Sequence, residues 1–129
     1  MTTQIVVLLE NRPGALAELA TLLAKAEVNI EAILLEGSVD FGMVRLHVES
    51  PRKAEKALRD AGYQYRTGEA ITVQLPNEPG QLADVTTKLA KAKVNIDALF
   101  GTTSSGSGTP ELVIMVDDVP RAKKALGLA

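Results

Sequence analysis

Several kinds of residue are scarce in this chain, and each shortage excludes a class of chemistry. The sequence has no cysteine, which excludes disulfides, thiolate metal ligands and cysteine nucleophiles and fits a reducing cytoplasm. Its single histidine, His47, alternates with Leu46 and Val48, a pattern typical of a half-exposed strand rather than of a catalytic triad. We therefore expect no enzyme activity, no metal site and no cofactor.

Charge and hydropathy argue against two kinds of partner. Aromatic residues make up 3% of the chain, the formal net charge is −2, and the basic residues are scattered among acidic ones. Nucleic acid would require a basic face, often with stacking rings. The longest apolar runs, residues 5–9 and 112–116, are far too short to span a membrane, and the N-terminal residues do not resemble a signal peptide. We expect a cytoplasmic protein that binds neither nucleic acid nor membrane.

One sequence pattern occurs twice, 66 positions apart. The segment at 11–18 reads NRPGALAE and returns at 77–84 as NEPGQLAD, while AKAEVNIEA at 24–32 returns at 90–98 as AKAKVNIDA. A fixed offset predicts one structural unit built twice, over residues 1–68 and 69–129. A unit of about 65 residues is marginally stable alone, so we expect the units to pack on each other or on a second chain.

Hydrophobic periodicity predicts the start of each unit. The unbroken apolar run at residues 5–9 indicates a strand buried on both faces, and the stripe from Leu16 to Ala26 is typical of a helix. Further strands are predicted at 28–35 and 44–48, on either side of a turn.

The rest of each unit follows from capping residues. Ser50-Pro51 is predicted to open a second helix that Gly62 ends, before a short strand at 63–67. The second unit repeats this order from residue 71, with the Asp117-Asp118 pair capping its last helix. The predicted fold is α+β: two ferredoxin-like βαββαβ units with antiparallel sheets and helices on one face, the second unit lacking its last strand.

The repeated Asn-x-Pro-Gly segment joins a strand to the start of a helix. Gly14 and Gly80 have no Cβ, so a ligand could approach their backbone closely. The first N–H groups of a helix have no partner within the helix, and together with the helix dipole they attract a carboxylate or phosphate. The alternative is that Pro-Gly forms an ordinary turn and that the asparagine caps the helix.

The second repeated element is Val-Asn-Ile, which follows the helix and opens the next strand. Asn29 and Asn95 could there meet a ligand seated by the Pro-Gly turn of the same unit. The alternative is a turn residue at the helix exit, because asparagine tolerates left-handed backbone geometry.

These two motifs resemble the pattern of the ACT-domain family, and the resemblance extends over nearly the whole chain. It implies a regulatory module that binds a small amino acid at an interface between two ACT units. It also implies a set of ligand-binding residues in each unit. These are Asn11, Arg12, Pro13, Gly14, Ala15, Leu16, Asn29 and Ile30 in the first unit, and Asn77, Pro79, Gly80, Gln81, Leu82, Asn95 and Ile96 in the second.

The function expected from this pattern is amino-acid sensing through ligand-dependent pairing of ACT units. We expect a homodimer that acts on a metabolic enzyme and has no catalytic residue of its own. The alternative is an interaction subunit of such an enzyme that binds no small molecule.

Overall fold

The structure, a computed structural model, describes residues 2–102 and 110–128. Within these residues the chain forms six strands and four helices. It divides into two compact units, one formed by Thr3–Gly68 and the other by the residues from Glu69 onward together with Thr2. They are called the first unit and the second unit below.

The first unit has the predicted element order and an antiparallel sheet. Strand β3 pairs antiparallel with β1 on one side and with β2 on the other, so β1 and β2 run in the same direction without touching. A bulge interrupts the β2–β3 ladder between Ile30 and Ala32. Its elements are β1 Thr2–Glu10, α1 Ala15–Lys25, β2 Ile30–Gly37, β3 Phe41–Val48, α2 Pro51–Asp60 and the start of β4 Tyr65–Gln74.

The core of the first unit lies between this sheet and both helices. Alternate residues of β1, namely Ile5, Val7 and Leu9, are buried against Leu19 of α1 and Leu58 of α2. Both helices therefore cover the same face of the sheet, as predicted.

Strand β1 is also buried on its other face along most of its length. Gln4 is fully buried and Val6 is 3% exposed, but Leu8 is 40% exposed. The prediction of a strand buried on both faces is therefore confirmed except at Leu8.

The second unit repeats this plan around a core of its own. Strand β6 pairs antiparallel with β4 and with β5, and Leu89 of α3 and Ala122 of α4 are buried against Ile71 and Ile114 of the sheet. The carboxylate of Asp118 accepts a hydrogen bond of 3.1 Å from the Arg121 N–H, so the predicted helix cap is confirmed for Asp118. Asp117 instead accepts a hydrogen bond from the Asn95 N–H. The elements after β4 are α3 Gln81–Lys91, β5 Ile96–Thr102, β6 Glu111–Val116 and α4 Val119–Leu126.

One predicted boundary is wrong. The sequence predicts a short strand at 63–67 and a separate strand from residue 71, but the chain forms the single strand β4, Tyr65–Gln74, and the division between the units falls inside it. Gly68 weakens a strand without ending it, and no proline interrupts the run before Pro76. The sequence also predicts a turn rich in Gly, Ser and Thr over residues 101–110, but Gly101 and Thr102 belong to β5, and residues 103–109 lie outside the described ranges. The lack of a last strand in the second unit stays a prediction.

Candidate functional site

The two Pro-Gly turns have nearly the same backbone geometry. Gly14 precedes α1 with φ 85° and ψ −13°, and Gly80 precedes α3 with φ 90° and ψ −12°. This left-handed conformation is costly for any residue with a Cβ, which explains the glycine at both positions. Among the described residues no side chain donates or accepts a capping hydrogen bond at either helix start, so the alternative that the asparagine is the cap is wrong.

The helix starts provide donors, as predicted, although one in each unit is already used. The Ala15 N–H donates to the Arg12 carbonyl at 3.3 Å, and the Gln81 N–H donates to the Glu78 carbonyl at 3.4 Å. Several other backbone N–H groups at the two helix starts have no acceptor among the described residues. They belong to Gly14, Leu16 and Ala17 in the first unit and to Gly80, Leu82 and Ala83 in the second.

Asn11 is hydrogen-bonded to residues of its own unit. Its Nδ2 donates to the carbonyl of Ser38 and, at 3.3 Å, to that of Val39, while its backbone N–H donates to the Asp40 carbonyl at 2.8 Å. The asparagine therefore holds the turn between β2 and β3. For Asn77 the structure gives no side-chain partner among the described residues.

The two predicted motifs lie at opposite ends of each sheet. Asn29 precedes the start of β2, where Ile30 pairs with Val48, whereas Asn11 follows Glu10, which pairs with Phe41 at the other end of β3. At about 3.3 Å per residue the two ends are roughly 20 Å apart. The expectation that both asparagines of one unit meet one ligand is therefore wrong.

The same separation holds in the second unit. Ile96 pairs with Val116 at the end of β6, while Gln74, which precedes the turn that contains Asn77, pairs with Glu111 at its start.

The asparagines that open the second strand of each unit have different surroundings. Asn95 donates from Nδ2 to Asp97 at 2.9 Å and from its backbone N–H to Asp117, also at 2.9 Å. The Asn29 side chain has no hydrogen bond to any residue in the described ranges. Asn29 is thus available for a ligand or a partner chain, and Asn95 is held by its own unit.

Arg12 forms a charge cluster with Glu10 and Glu18 at the first turn. Its Nε lies 2.8 Å from Glu10, and its two Nη atoms lie 2.9 and 3.4 Å from the two oxygens of Glu18. Hydrogen bonding and the opposite charge raise the pKa of Arg12 and lower the pKa of Glu18. Sequence reasoning missed Glu10 and Glu18, although Glu10 and Arg12 are two positions apart at the end of a strand and Glu18 lies in the first turn of α1.

A cavity of about 470 Å³ lies beside this cluster, wholly within the first unit. Ala15 is 2% exposed and Leu9 is 5% exposed, so both belong to the core beneath it. Four parts of the first unit line this cavity: the end of β1, the start of α1, the start of β3 and the turn from α2 to β4. The residues are Leu8, Leu9, Glu10, Arg12, Ala15, Glu18, Phe41, Ala61, Gly62, Tyr63 and Gln64. Of the predicted residues of the first unit, only Arg12 and Ala15 line it; Pro13 and Gly14 are exposed, and Leu16 packs at the edge of the core.

The second turn has different chemistry at the matching positions. Glu78 replaces Arg12, Asp84 corresponds to Glu18, and the position of Glu10 is taken by Pro76. Gln81, where the first unit has Ala15, is half-buried, and Leu82 is 48% exposed. The second turn thus carries two carboxylates and no guanidinium.

His47 lies in β3 near Val48, at the opposite end of that strand from Phe41 and the first turn. Its Nε2 is 3.3 Å from Glu31, and its Nδ1 is buried without a partner in the described residues. Those residues contain no group of three or more His, Cys, Asp or Glu side chains that would hold a metal ion. None of the described helices combines the length and the apolar character that crossing a membrane requires.

Comparison with solved structures gives similar folds over 98% of the chain. A protein of Bacteroides thetaiotaomicron is 29% identical with a TM-score of 0.89, and the match covers 98% of this chain and 86% of that one. The regulatory subunit of aspartate kinase from Thermus thermophilus is 16% identical with a TM-score of 0.72, covering 98% and 91%. A structure of aspartokinase alpha and beta subunits is 16% identical with a TM-score of 0.65, covering 98% and 93%.

A search among curated proteins finds no match. The family model described as an ACT domain pair matches residues 1–128. Its span includes both Pro-Gly turns, both sheets and all four described helices. The chain therefore belongs to the family of ACT domain pairs.

Proposed function

We propose that this ACT domain pair is a cytoplasmic regulatory module that binds an amino acid and responds by a change in the pairing of its ACT units. Membership of the ACT family over residues 1–128 carries the proposal. Two of its structural neighbours are an aspartate kinase regulatory subunit and aspartokinase subunits, although at 16% identity these show only a shared fold.

The helix starts support a ligand with an anionic group. The free N–H groups at Gly14 and Leu16, like those at Gly80 and Leu82, point to an acceptor from outside the described protein. An amino-acid carboxylate is such an acceptor.

The position of Asn29 supports pairing between units. Asn29 precedes one end of the first unit's sheet, and the turn that contains Gly14 follows the other end, roughly 20 Å away. A small ligand that contacts both kinds of residue must therefore take them from two different units. In a homodimer the second unit is supplied by the partner chain. The ligand then favours the paired arrangement that it bridges, and this population shift is what an enzyme partner would detect.

The test is thermal unfolding of dialysed protein with each of the twenty amino acids, followed by sedimentation velocity with every amino acid that stabilises the fold. A ligand at one hundred times its Kd should add about 2.7 kcal/mol to the free energy of unfolding. The same amino acid should change the proportion of dimer. If no amino acid raises the melting temperature in a concentration-dependent way, the proposal is wrong.

One observation favours the alternative of an interaction subunit that binds no small molecule. Leu8, Phe41 and Met43 are 40%, 51% and 38% exposed. Leu8 pairs in register with Met43, and Phe41 lies two positions before Met43 on the same face of the first unit's sheet, away from its helices. Exposed apolar side chains that lie together are typical of protein contacts. Stoichiometric co-purification with one enzyme whose activity is insensitive to all twenty amino acids would favour this alternative.

A further inference from the structure

The cavity beside Arg12 has a charge pattern that matches one class of ligand head group. We propose that it binds the ammonium and carboxylate groups of an amino acid with an uncharged, apolar side chain, and that it discriminates against acidic amino acids. This inference rests on the proposed function and adds to it which of the two repeats binds the ligand and which class of ligand it selects.

The head group of an amino acid carries opposite charges on neighbouring groups. Its complement is a carboxylate beside a guanidinium, and Arg12 has one on each side, with Glu10 at 2.8 Å and Glu18 at 2.9 Å. The planar guanidinium suits the ligand carboxylate, and the glutamates accept hydrogen bonds from the ammonium. Because all three side chains are about half exposed, exchanging their present ion pairs for ligand contacts costs little.

The lining of the cavity selects the side chain of the ligand. Leu8, Phe41 and Tyr63 contribute apolar or aromatic surface, and Phe41 is 51% exposed. A bound apolar side chain would remove part of this surface from water. The volume of about 470 Å³ falls within the range of small-molecule sites.

The sign of the local charge excludes acidic ligands. Glu10 and Glu18 together carry two negative charges and Arg12 carries one positive charge, so the cluster has a net charge of −1. A zwitterion adds no net charge to this cluster. An acidic amino acid would bring a further carboxylate close to two existing ones, and like charges at short range repel.

The second unit does not offer the same site. Glu78 stands where Arg12 would, so the guanidinium is missing and the turn cannot present the alternating charges. Gln81 also replaces Ala15, which adds a longer, polar side chain at the start of α3. The proposal therefore predicts one ligand per chain.

The test is isothermal titration calorimetry of the full chain with leucine, valine, methionine, aspartate and glutamate. At least one apolar amino acid should bind with a stoichiometry of one, and both acidic amino acids should bind at least about tenfold more weakly. The variant Arg12→Gln should weaken binding by about ten- to a hundredfold, because charge-assisted hydrogen bonds are lost. The matched variant Glu78→Gln should leave the Kd unchanged, and circular dichroism checks that both variants are folded.

The outcomes separate this inference from the proposed function. Amino-acid binding that survives Arg12→Gln, is lost in Glu78→Gln, or favours aspartate or glutamate overturns the inference while leaving an amino-acid sensor in place. Failure of all twenty amino acids to bind overturns both.

Discussion

Gly14 and Gly80 open their helices with nearly the same backbone angles, yet the side chains around them have different partners. In the first unit Arg12 joins two carboxylates, whereas the matching position of the second unit is the acidic Glu78. The turns that follow α1 and α3 likewise share their backbone geometry and differ in their side chains. Glu27 and Lys93 share a left-handed backbone, with φ 59° and 58°, although one is acidic and the other basic.

This difference shows which parts of a repeat are constrained. Backbone angles are fixed by packing of the helix on the sheet, so a change there would disturb the core. Exposed polar side chains contribute little to stability, and each copy can therefore carry its own charges. A duplicated fold can thus hold one ligand site rather than two.

The largest expected contrast between the units concerns a glycine in each sheet. A Cβ on Gly42 would lie 2.8 Å from the Glu36 carbonyl oxygen and 3.2 Å from the Gly37 Cα, both backbone atoms that cannot move aside. We expect Gly42→Ala to lower the free energy of unfolding by about 2 kcal/mol or more, as measured by urea denaturation.

Gly101, a glycine in β5 of the second unit, is the control. The nearest atom to a Cβ at that position is a Leu112 methyl carbon at 3.9 Å, so Gly101→Ala should change stability by less than about 0.5 kcal/mol. If both variants lost the same free energy of unfolding, the short distance from a Cβ at Gly42 to the Glu36 carbonyl would not be the cause of the destabilisation.

The motif asparagines of the first unit should differ in their effect on stability. Asn11→Ala removes the hydrogen bonds to the Ser38 and Val39 carbonyls and should cost about 1 kcal/mol. Asn29→Ala removes no hydrogen bond within the described protein and should leave the urea midpoint unchanged. A larger loss for Asn29→Ala than for Asn11→Ala would contradict the assignment of Asn11 to the turn between β2 and β3.

A buried glutamine distinguishes the first strands of the two repeats. Gln4 is fully buried and both polar atoms of its amide have no partner among the described residues, while Ala70, 66 positions on, is also fully buried. Gln4→Met keeps the length of the side chain and removes the unsatisfied amide. It should raise the free energy of unfolding by about 1 kcal/mol. Gln74→Met, at an exposed position of β4, is the control. If Gln4→Met instead lowered the free energy of unfolding, the Gln4 amide would have a hydrogen-bond partner in solution.

The sequence predicted the backbone of the motifs better than the roles of their side chains. Glycine, proline and apolar periodicity act locally, so the helical stripes predicted from Leu16 and Leu82 start within one residue of the observed helices, which begin at Ala15 and Gln81. The partners of Asn11 lie 27 and 28 positions further along the chain, and no local pattern indicates them.

The distance of Asn29 from the Pro-Gly turn depends on the direction of the strands. β1 and β2 run in the same direction on either side of β3, so the end of β1 lies far from the start of β2, and the strand register places Asn11 and Asn29 at those two ends. Glu10 and Glu18 were missed because exposed acidic residues usually face solvent, and only their distances to Arg12 identify them as a cluster.

The smallest expected effect concerns the pH dependence of the Arg12 cluster. The hydrogen bond from Arg12 lowers the pKa of Glu18 below its ordinary 4.5. The folded protein therefore binds this proton less readily than the unfolded chain, so the contribution to stability is complete above pH 4.5 and is lost as the pH falls through the lowered pKa. In Arg12→Gln this contribution is missing at every pH. The difference in urea midpoint between wild type and variant should thus be largest near pH 7 and shrink towards pH 3.

The pKa of Asp60 is also lowered, by Lys56, but this pair is present in both proteins and cancels in the difference. A difference that does not change between pH 7 and pH 3 would show that Arg12 acts on stability through contacts other than its pair with Glu18.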